Sequence, residues 1–236
     1  MSSSERRIVA LGGASLGPTS TDGPLHQYLL DLTGQSRPRV CFLGTASGDE
    51  AAATAMFYGW FARRAEAMHL GLFDRRIADI EGLLTAADLI YVGGGNTANM
   101  LAIWRTHGVD IALRRAWESG VILAGPSAGA VCWFQDGTTD SFGPTLGALN
   151  DGLGFLAGSF CPHYDSESLR RPRYHELVGA GTLPSGYAAD DGVGLLFSGD
   201  QLAEIVAVMP ESRAFRVTRS GGGVEETSIK PRRLRA

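Results

Sequence analysis

Short apolar runs recur along the chain, each closed by glycine or a polar turn and followed by a stretch with helical spacing. Ile8 to Leu11 ends in Gly12-Gly13, and Val40 to Leu43, Leu89 to Val92 and Val121 to Leu123 repeat the pattern. Four such runs read as buried strands. Between them, a short helix over Leu25 to Leu32 enters through Asp22-Gly23-Pro24, and a long helical pattern covers about Asp49 to His69. A short strand near Leu70 to Phe73 and a helix near Ile80 to Ala87 come next. Helices over Asn96 to Thr106 and Ile111 to Glu118 precede the run at Val121. Strands alternating with helices imply a mainly parallel sheet flanked by helices, with functional groups at the carboxyl ends of the strands.

The alternation loosens further on. Asp136 to Gly154, rich in Gly, Thr and Asp, reads as an irregular loop and a candidate site wall. Phe155 to Phe160 reads as a strand and Ser166 to Val178 as a helix. From Tyr187 the chain turns β-rich, with runs at Gly194 to Phe197, Leu202 to Val208 and Ala214 to Thr218. Their turn spacing predicts an antiparallel extension of the sheet at the C-terminal end. Residues 230–236 read as a frayed basic tail. With 236 residues, 44% of them hydrophobic, the chain fits one α/β domain over residues 1–236.

Charge and cysteine content narrow the function classes. A net charge of −4 leaves no electrostatic footprint for nucleic acid. No apolar run approaches membrane-spanning length, and Met1 to Arg7 leads into an apolar stretch too short for a signal-peptide core. The expectation is a cytoplasmic protein. Cys41, Cys132 and Cys161 lack metal-ligand spacing and read as reduced, buried thiols; no metal or cofactor is expected.

The candidate chemistry centres on Gly125-Pro126-Ser127-Ala128-Gly129, where an apolar run breaks and resumes as a helix-compatible sequence to Phe134. Small residues around a serine allow the sharp strand-to-helix turn that raises its hydroxyl above the sheet. Gly93-Gly94-Gly95-Asn96 closes the preceding strand. Its Gly93-x-Gly95-x-x-Ala98 spacing loosely fits a dinucleotide fingerprint, but the next strand ends without the acidic residue that a ribose requires. Glycine amides there, at Gly94 or Gly95, suit an oxyanion hole completed by the amide of Ala128.

A serine needs a base. Of the five histidines, His163 in Cys161-Pro-His-Tyr-Asp165 follows a strand-like run directly after a proline, and it is the candidate general base. His26, His69 and His107 fall in or beside helical patterns as packing or surface residues, and His175 lies in the next helix. Cys161, two residues from His163, is the competing nucleophile. Asp190 and Asp191, at a break between two β-like segments, are the candidate acids that would orient the imidazole. Other acyl-transfer or hydrolase chemistry, or a non-catalytic small-molecule binding fold, are the alternatives to peptide cleavage.

Four motifs, Gly93-Gly-Gly-Asn-Thr97, Gly-x-Ser127-Ala-Gly-Ala130, Pro162-His163-Tyr-Asp165 and Asp190-Asp-Gly192, occur in the order found in the S51 serine peptidases. The chain resembles that family, which includes peptidase E and cyanophycinase, from about Ile8 to Thr218. The resemblance implies a fold like that of class I glutamine amidotransferases (flavodoxin-like) and a Ser127–His163–acid triad. It matches the acid, usually glutamate in the family, to Asp191, with Asp190 the alternative. It further implies a small peptide substrate, with Asn96 and Arg170 as substrate-binding residues. Arg170 and Arg173 keep the spacing of two arginines that follow the histidine in peptidase E, although the Gly-Glu-Thr before them is absent. Cleavage of Asp-X dipeptides is therefore the expected specificity.

Overall fold

Ile8 to Leu11 on the first strand, and Leu89, Ile90 and Val92 on the fourth, have no solvent exposure. Strands so apolar on both sides hold together only with helices packed on both faces, each large apolar side chain contributing roughly 1.5–3 kcal/mol on burial. The computed structural model describes residues 5–14, 20 and 22–235. Met1 to Ser4 of the leading segment and Ala236 of the tail lie outside the described residues.

In the first half, β1 (Arg7–Leu11), α1 (Gly23–Asp31), β2 (Arg39–Leu43), α2 (Ala51–Phe61), β3 (Glu66–Leu70), α3 (Ile80–Thr85), β4 (Leu89–Val92), α4 (Thr97–His107), α5 (Val109–Glu118), β5 (Ile122–Pro126) and α6 (Ala128–Val131) alternate as expected. There follow β6 (Phe134–Thr139), β7 (Gly147–Leu149), β8 (Leu156–Cys161), α7 (Arg170–Gly179), β9 (Gly186–Ala189), β10 (Val193–Ser198), β11 (Gln201–Ala207), β12 (Ala214–Ser220), β13 (Gly223–Ile229) and β14 (Arg232–Arg233).

One sheet of eight strands runs β14-β11-β10-β1-β5-β4-β2-β3, with β1, β5, β4, β2 and β3 mutually parallel. Its two faces bury different helices. Val9, Phe42, Tyr91 and Ala124 pack with α1 and α2 through Leu25, Leu29, Phe57 and Phe61. Ala10, Cys41, Ile90 and Leu123 pack with α3, α4 and α5 through Leu84, Trp104 and Trp117. The chain therefore leaves the adjacent strands β2 and β4 toward opposite faces, which opens a crevice at their carboxyl ends.

Several expectations are corrected. The helical pattern from Asp49 to His69 ends at Phe61, and Glu66 to Leu70 forms β3 in register with Arg39 to Leu43. Glu, Ala, Met, His and Leu tolerate a helix, but the open edge of β2 captures them as a strand; the strand expected at Leu70 to Phe73 lies four residues too late. The helix after the elbow stops at Val131 because Trp133 and Phe134 enter the core, where Phe134 stacks on Phe160 at 5.0 Å. Much of the expected 136–154 loop belongs to a β6–β7 hairpin.

The C-terminal strands do not form one extension. β10 and β11 continue the first sheet antiparallel to β1, whereas β12 and β13 join a second, six-stranded sheet ordered β13-β12-β9-β8-β6-β7. Nor does the basic tail fray at Lys230: Arg232 and Arg233 pair with Val206 and Ala207, and Arg232 Nε donates to Glu204 Oε1 at 2.6 Å. Lys230-Pro-Arg reads as charge alone, and the pairing is supplied by the exposed edge of β11.

Candidate active site

Ser127 stands at the turn from β5 into α6 with φ 55° and ψ −118°, a left-handed backbone that a non-glycine residue holds only under constraint. The constraint is packing against β4. A Cβ on Gly125 or on Gly129 would overlap the carbonyl oxygen of Val92, so both glycines of the motif are needed for the elbow to lie this close to the neighbouring strand. Among the described residues, Asp49, Ser127 and His163 alone combine a side chain with positive φ.

His163 comes from the other sheet, just past the end of β8. It meets Ser127 through β1: the Ser127 amide donates to the Leu11 carbonyl at 3.3 Å, and the His163 amide donates to the next carbonyl, Gly12, at 3.1 Å. Its imidazole Nδ1 is 2.7 Å from Asp191 Oδ1. That hydrogen bond is the largest influence holding the Asp191 carboxyl below the usual aspartate range. An ionised carboxylate only accepts, so Nδ1 carries a proton, and in the neutral ring this tautomer has its lone pair on Nε2. No hydrogen bond among the described residues reaches Ser127 Oγ; contacts of this kind tighten when substrate binds.

The two aspartates diverge although they are adjacent. Asp191 sits in the β9–β10 turn with its amide donated to Asp165 Oδ1 at 2.9 Å, and Gly192 donates to the Gly13 carbonyl at 2.7 Å. Asp190 points away from the imidazole and accepts from the Arg213 amide at 2.7 Å. Burial pushes its carboxyl up to about 6. Asp191, not Asp190, is the acid brought to His163.

Of the glycine amides, Gly94 lies against the elbow, its would-be Cβ position 3.5 Å from Ser127 Cβ. A Cβ on Gly95, whose φ is 137°, would overlap the carbonyl of Ala46. The amides of Gly94, Gly95 and Ala128 have no backbone acceptor among the described residues. Asn96 caps α4, its Oδ1 accepting from the Asn99 amide at 2.8 Å, while its Nδ2 donates to the Ser141 carbonyl at 3.2 Å. The Ser141 hydroxyl accepts from the amides of Thr97 and Ala98, so the positions a pyrophosphate would take at this helix start are filled by the β6–β7 hairpin.

Arg170 is buried, with Nε donated to Glu167 Oε2 at 2.7 Å and no hydrogen bond among the described residues on its two Nη groups. Cys161 is fully buried, and desolvation pushes its thiol up to about 12, which removes it as a competing nucleophile. His26 is buried against Trp60 and Phe61, with its pKa lowered to about 4 by burial. His69 lies on β3 and bonds Tyr58, and His175 bonds Glu226. One pair of contributors went unread in the sequence, Gly12 and Gly13, whose carbonyls hold His163 and Gly192; their signal is the paired glycine at the end of the first strand.

The profile of Peptidase family S51 matches residues 8–205. The chain belongs to this family. The uncharacterized peptidase YgaJ of Bacillus subtilis (strain 168) is 47% identical over 213 residues, 90% of this chain and 92% of that protein. In three dimensions the S51 chain is similar to a peptidase from an acI-B1 Actinobacterium, with a TM-score of 0.69 at 17% identity, covering 97% of this chain and 98% of the other. A putative peptidase E from Listeria monocytogenes EGD-e gives 0.63 at 18% identity, over 87% and 100%. These two show the shared α/β fold, and family membership makes the protein a peptidase. Among the described residues, no helix is long and apolar enough to cross a membrane.

Proposed function

We propose that this S51 member is a cytoplasmic serine peptidase that cleaves small peptides through an acyl-enzyme on Ser127. The hydrogen bond between His163 Nδ1 and Asp191 Oδ1, at 2.7 Å beside the strained elbow, carries this reading. In the first step Ser127 Oγ attacks the peptide carbonyl and His163 Nε2 takes its proton. Asp191 holds the proton on Nδ1 and stabilises the imidazolium. The amides of Ala128 and Gly94 donate to the oxyanion. His163 then protonates the leaving amine, the C–N bond breaks, and water repeats the sequence on the acyl ester to free Ser127.

Asp-X specificity is the finer proposal. Arg170 supports it in one respect: Glu167 anchors the guanidinium through Nε, and the Nη edge is left for a carboxylate. Asn96, by contrast, has both polar atoms of its side chain engaged within the protein and is proposed to shape the glycine loop beside the substrate. Incubation of the parent protein and Ser127→Ala with a mixed dipeptide library, followed by mass spectrometry, tests the reading. Peptides consumed by the parent alone support it. Equal consumption by both refutes it.

A further inference from the structure

A cleft of about 260 Å³ adjoins the elbow at Pro126 and the glycine loop at Gly93 and Gly94. It opens at the crevice where β2 and β4 send the chain to opposite faces, the place where parallel α/β sheets take their ligands. Phe42, Ala53, Met56 and Tyr91 form apolar walls, and among the described residues the lining includes no arginine, lysine or histidine. Among them one ionised residue lines it, Glu50.

Glu50 immediately precedes α2, where a side chain commonly caps the first turn, yet it makes no capping hydrogen bond. Nor does its carboxylate have a hydrogen bond or ion pair with any described residue, and the residue is exposed; only its backbone carbonyl is engaged, accepting from the Thr54 amide at 3.1 Å. The carboxylate is thus committed neither to the helix nor to a neighbouring cation. Beside an apolar wall, such a group favours a ligand that brings an ammonium head on an apolar body and disfavours an anionic one.

We infer that this cleft receives the ammonium-bearing part of the residue whose carbonyl Ser127 attacks, with Glu50 anchoring that positively charged nitrogen; the side-chain carboxylate of an Asp-X substrate would reach Arg170 outside the cleft. The inference rests on the serine-peptidase reading. Two sources share this chemistry, the free α-ammonium of an amino-terminal residue and the ammonium of a lysine side chain, and each can be removed separately.

The experiment compares the parent with Glu50→Gln on four peptides, Leu-Ala, acetyl-Leu-Ala, Lys-Ala and acetyl-Lys-Ala, with melting temperatures measured alongside. A fluorophosphonate probe reports independently whether Ser127 is a reactive serine. If Glu50 anchors the α-ammonium, Glu50→Gln lowers kcat/KM on Leu-Ala by about tenfold to a hundredfold, and acetylation of the substrate lowers it comparably in the parent. If it anchors the side chain, acetyl-Lys-Ala is cleaved at least about tenfold better than acetyl-Leu-Ala, and Glu50→Gln erases that preference. Unchanged rates on every peptide in Glu50→Gln, with Ser127 still labelled and the melting temperature unmoved, overturn the inference alone. Labelling of Ser127 in a parent that cleaves none of the four peptides overturns the anchor alone, because an ammonium-bearing substrate is then not accepted; absence of both labelling and cleavage overturns the peptidase reading, and the anchor with it.

Discussion

The Asp191 carboxylate occupies the space that any side chain on Gly13 would fill. A Cβ at Gly13 would overlap Asp191 Oδ1 and lie 2.8 Å from His163 Nδ1, while the two backbones form an isolated parallel bridge. The imidazole and its acid therefore meet over a bare stretch of main chain at the end of β1. Gly13→Ala should drive the pair apart and lower kcat by about a hundredfold or more. Kinetics on any cleaved dipeptide measure this, and a variant within threefold of the parent would show that the pair tolerates displacement.

Ser127→Ala should reduce turnover by at least about 10³-fold while leaving the melting temperature close to the parent value, because the residue contributes one hydroxyl oxygen that no described group binds. His163→Ala should be comparably inactive. Cys161→Ala should retain activity, since that thiol is buried and its pKa is pushed up to about 12. An essential Cys161 beside a dispensable Ser127 would reverse the assignment.

The neighbouring aspartates should separate cleanly by mutation. Asp191→Asn removes the acceptor that fixes the imidazole tautomer and should lower kcat by up to about 10⁴-fold. Asp190→Asn keeps an oxygen for the Arg213 amide and should leave kcat within a few-fold of the parent.

Asp190 also makes a prediction about stability. Its folded pKa is raised by burial to about 6 from the ordinary 3.8, so between those pH values the folded protein binds the proton that the unfolded chain has lost. The stabilisation from this proton is fully present below the unfolded pKa and is lost as pH rises through about 6. The melting temperature of Asp190→Asn relative to the parent should therefore climb between about pH 4 and pH 6 and level off above. A difference that stays constant over that interval would remove the buried-carboxyl explanation.

If Arg170 reads a substrate carboxylate with its unused Nη edge, Asp-X dipeptides should be cleaved faster than Asn-X dipeptides, and Arg170→Gln should shrink the ratio mainly by slowing Asp-X. Arg170 also pairs with Glu167. Glu167→Gln, which loosens the anchor without removing the cation, should reduce the same ratio less. Equal parental rates on Asp-X and Asn-X would exclude the aspartyl specificity.

Read alone, the sequence determined the parallel strands and the elbow, because these are local facts. Ile8 to Leu11 and Leu89 to Val92 are too apolar for anything but a buried strand, and Gly125, Ser127 and Gly129 encode their turn by lacking bulk. It also singled out His163 and the Asp190-Asp191 pair by residue type and position. Only the tertiary structure decided between the two aspartates, since one residue of offset in the β9–β10 turn sends Asp191 to the imidazole and Asp190 to the Arg213 amide. The same holds for β3 and β14, whose sequences favour no strand until the open edges of β2 and β11 offer them partners. Gly13 belongs with these: the Gly12-Gly13 pair marks a turn in the sequence, but the need for glycine at residue 13 comes from Asp191, far away along the chain.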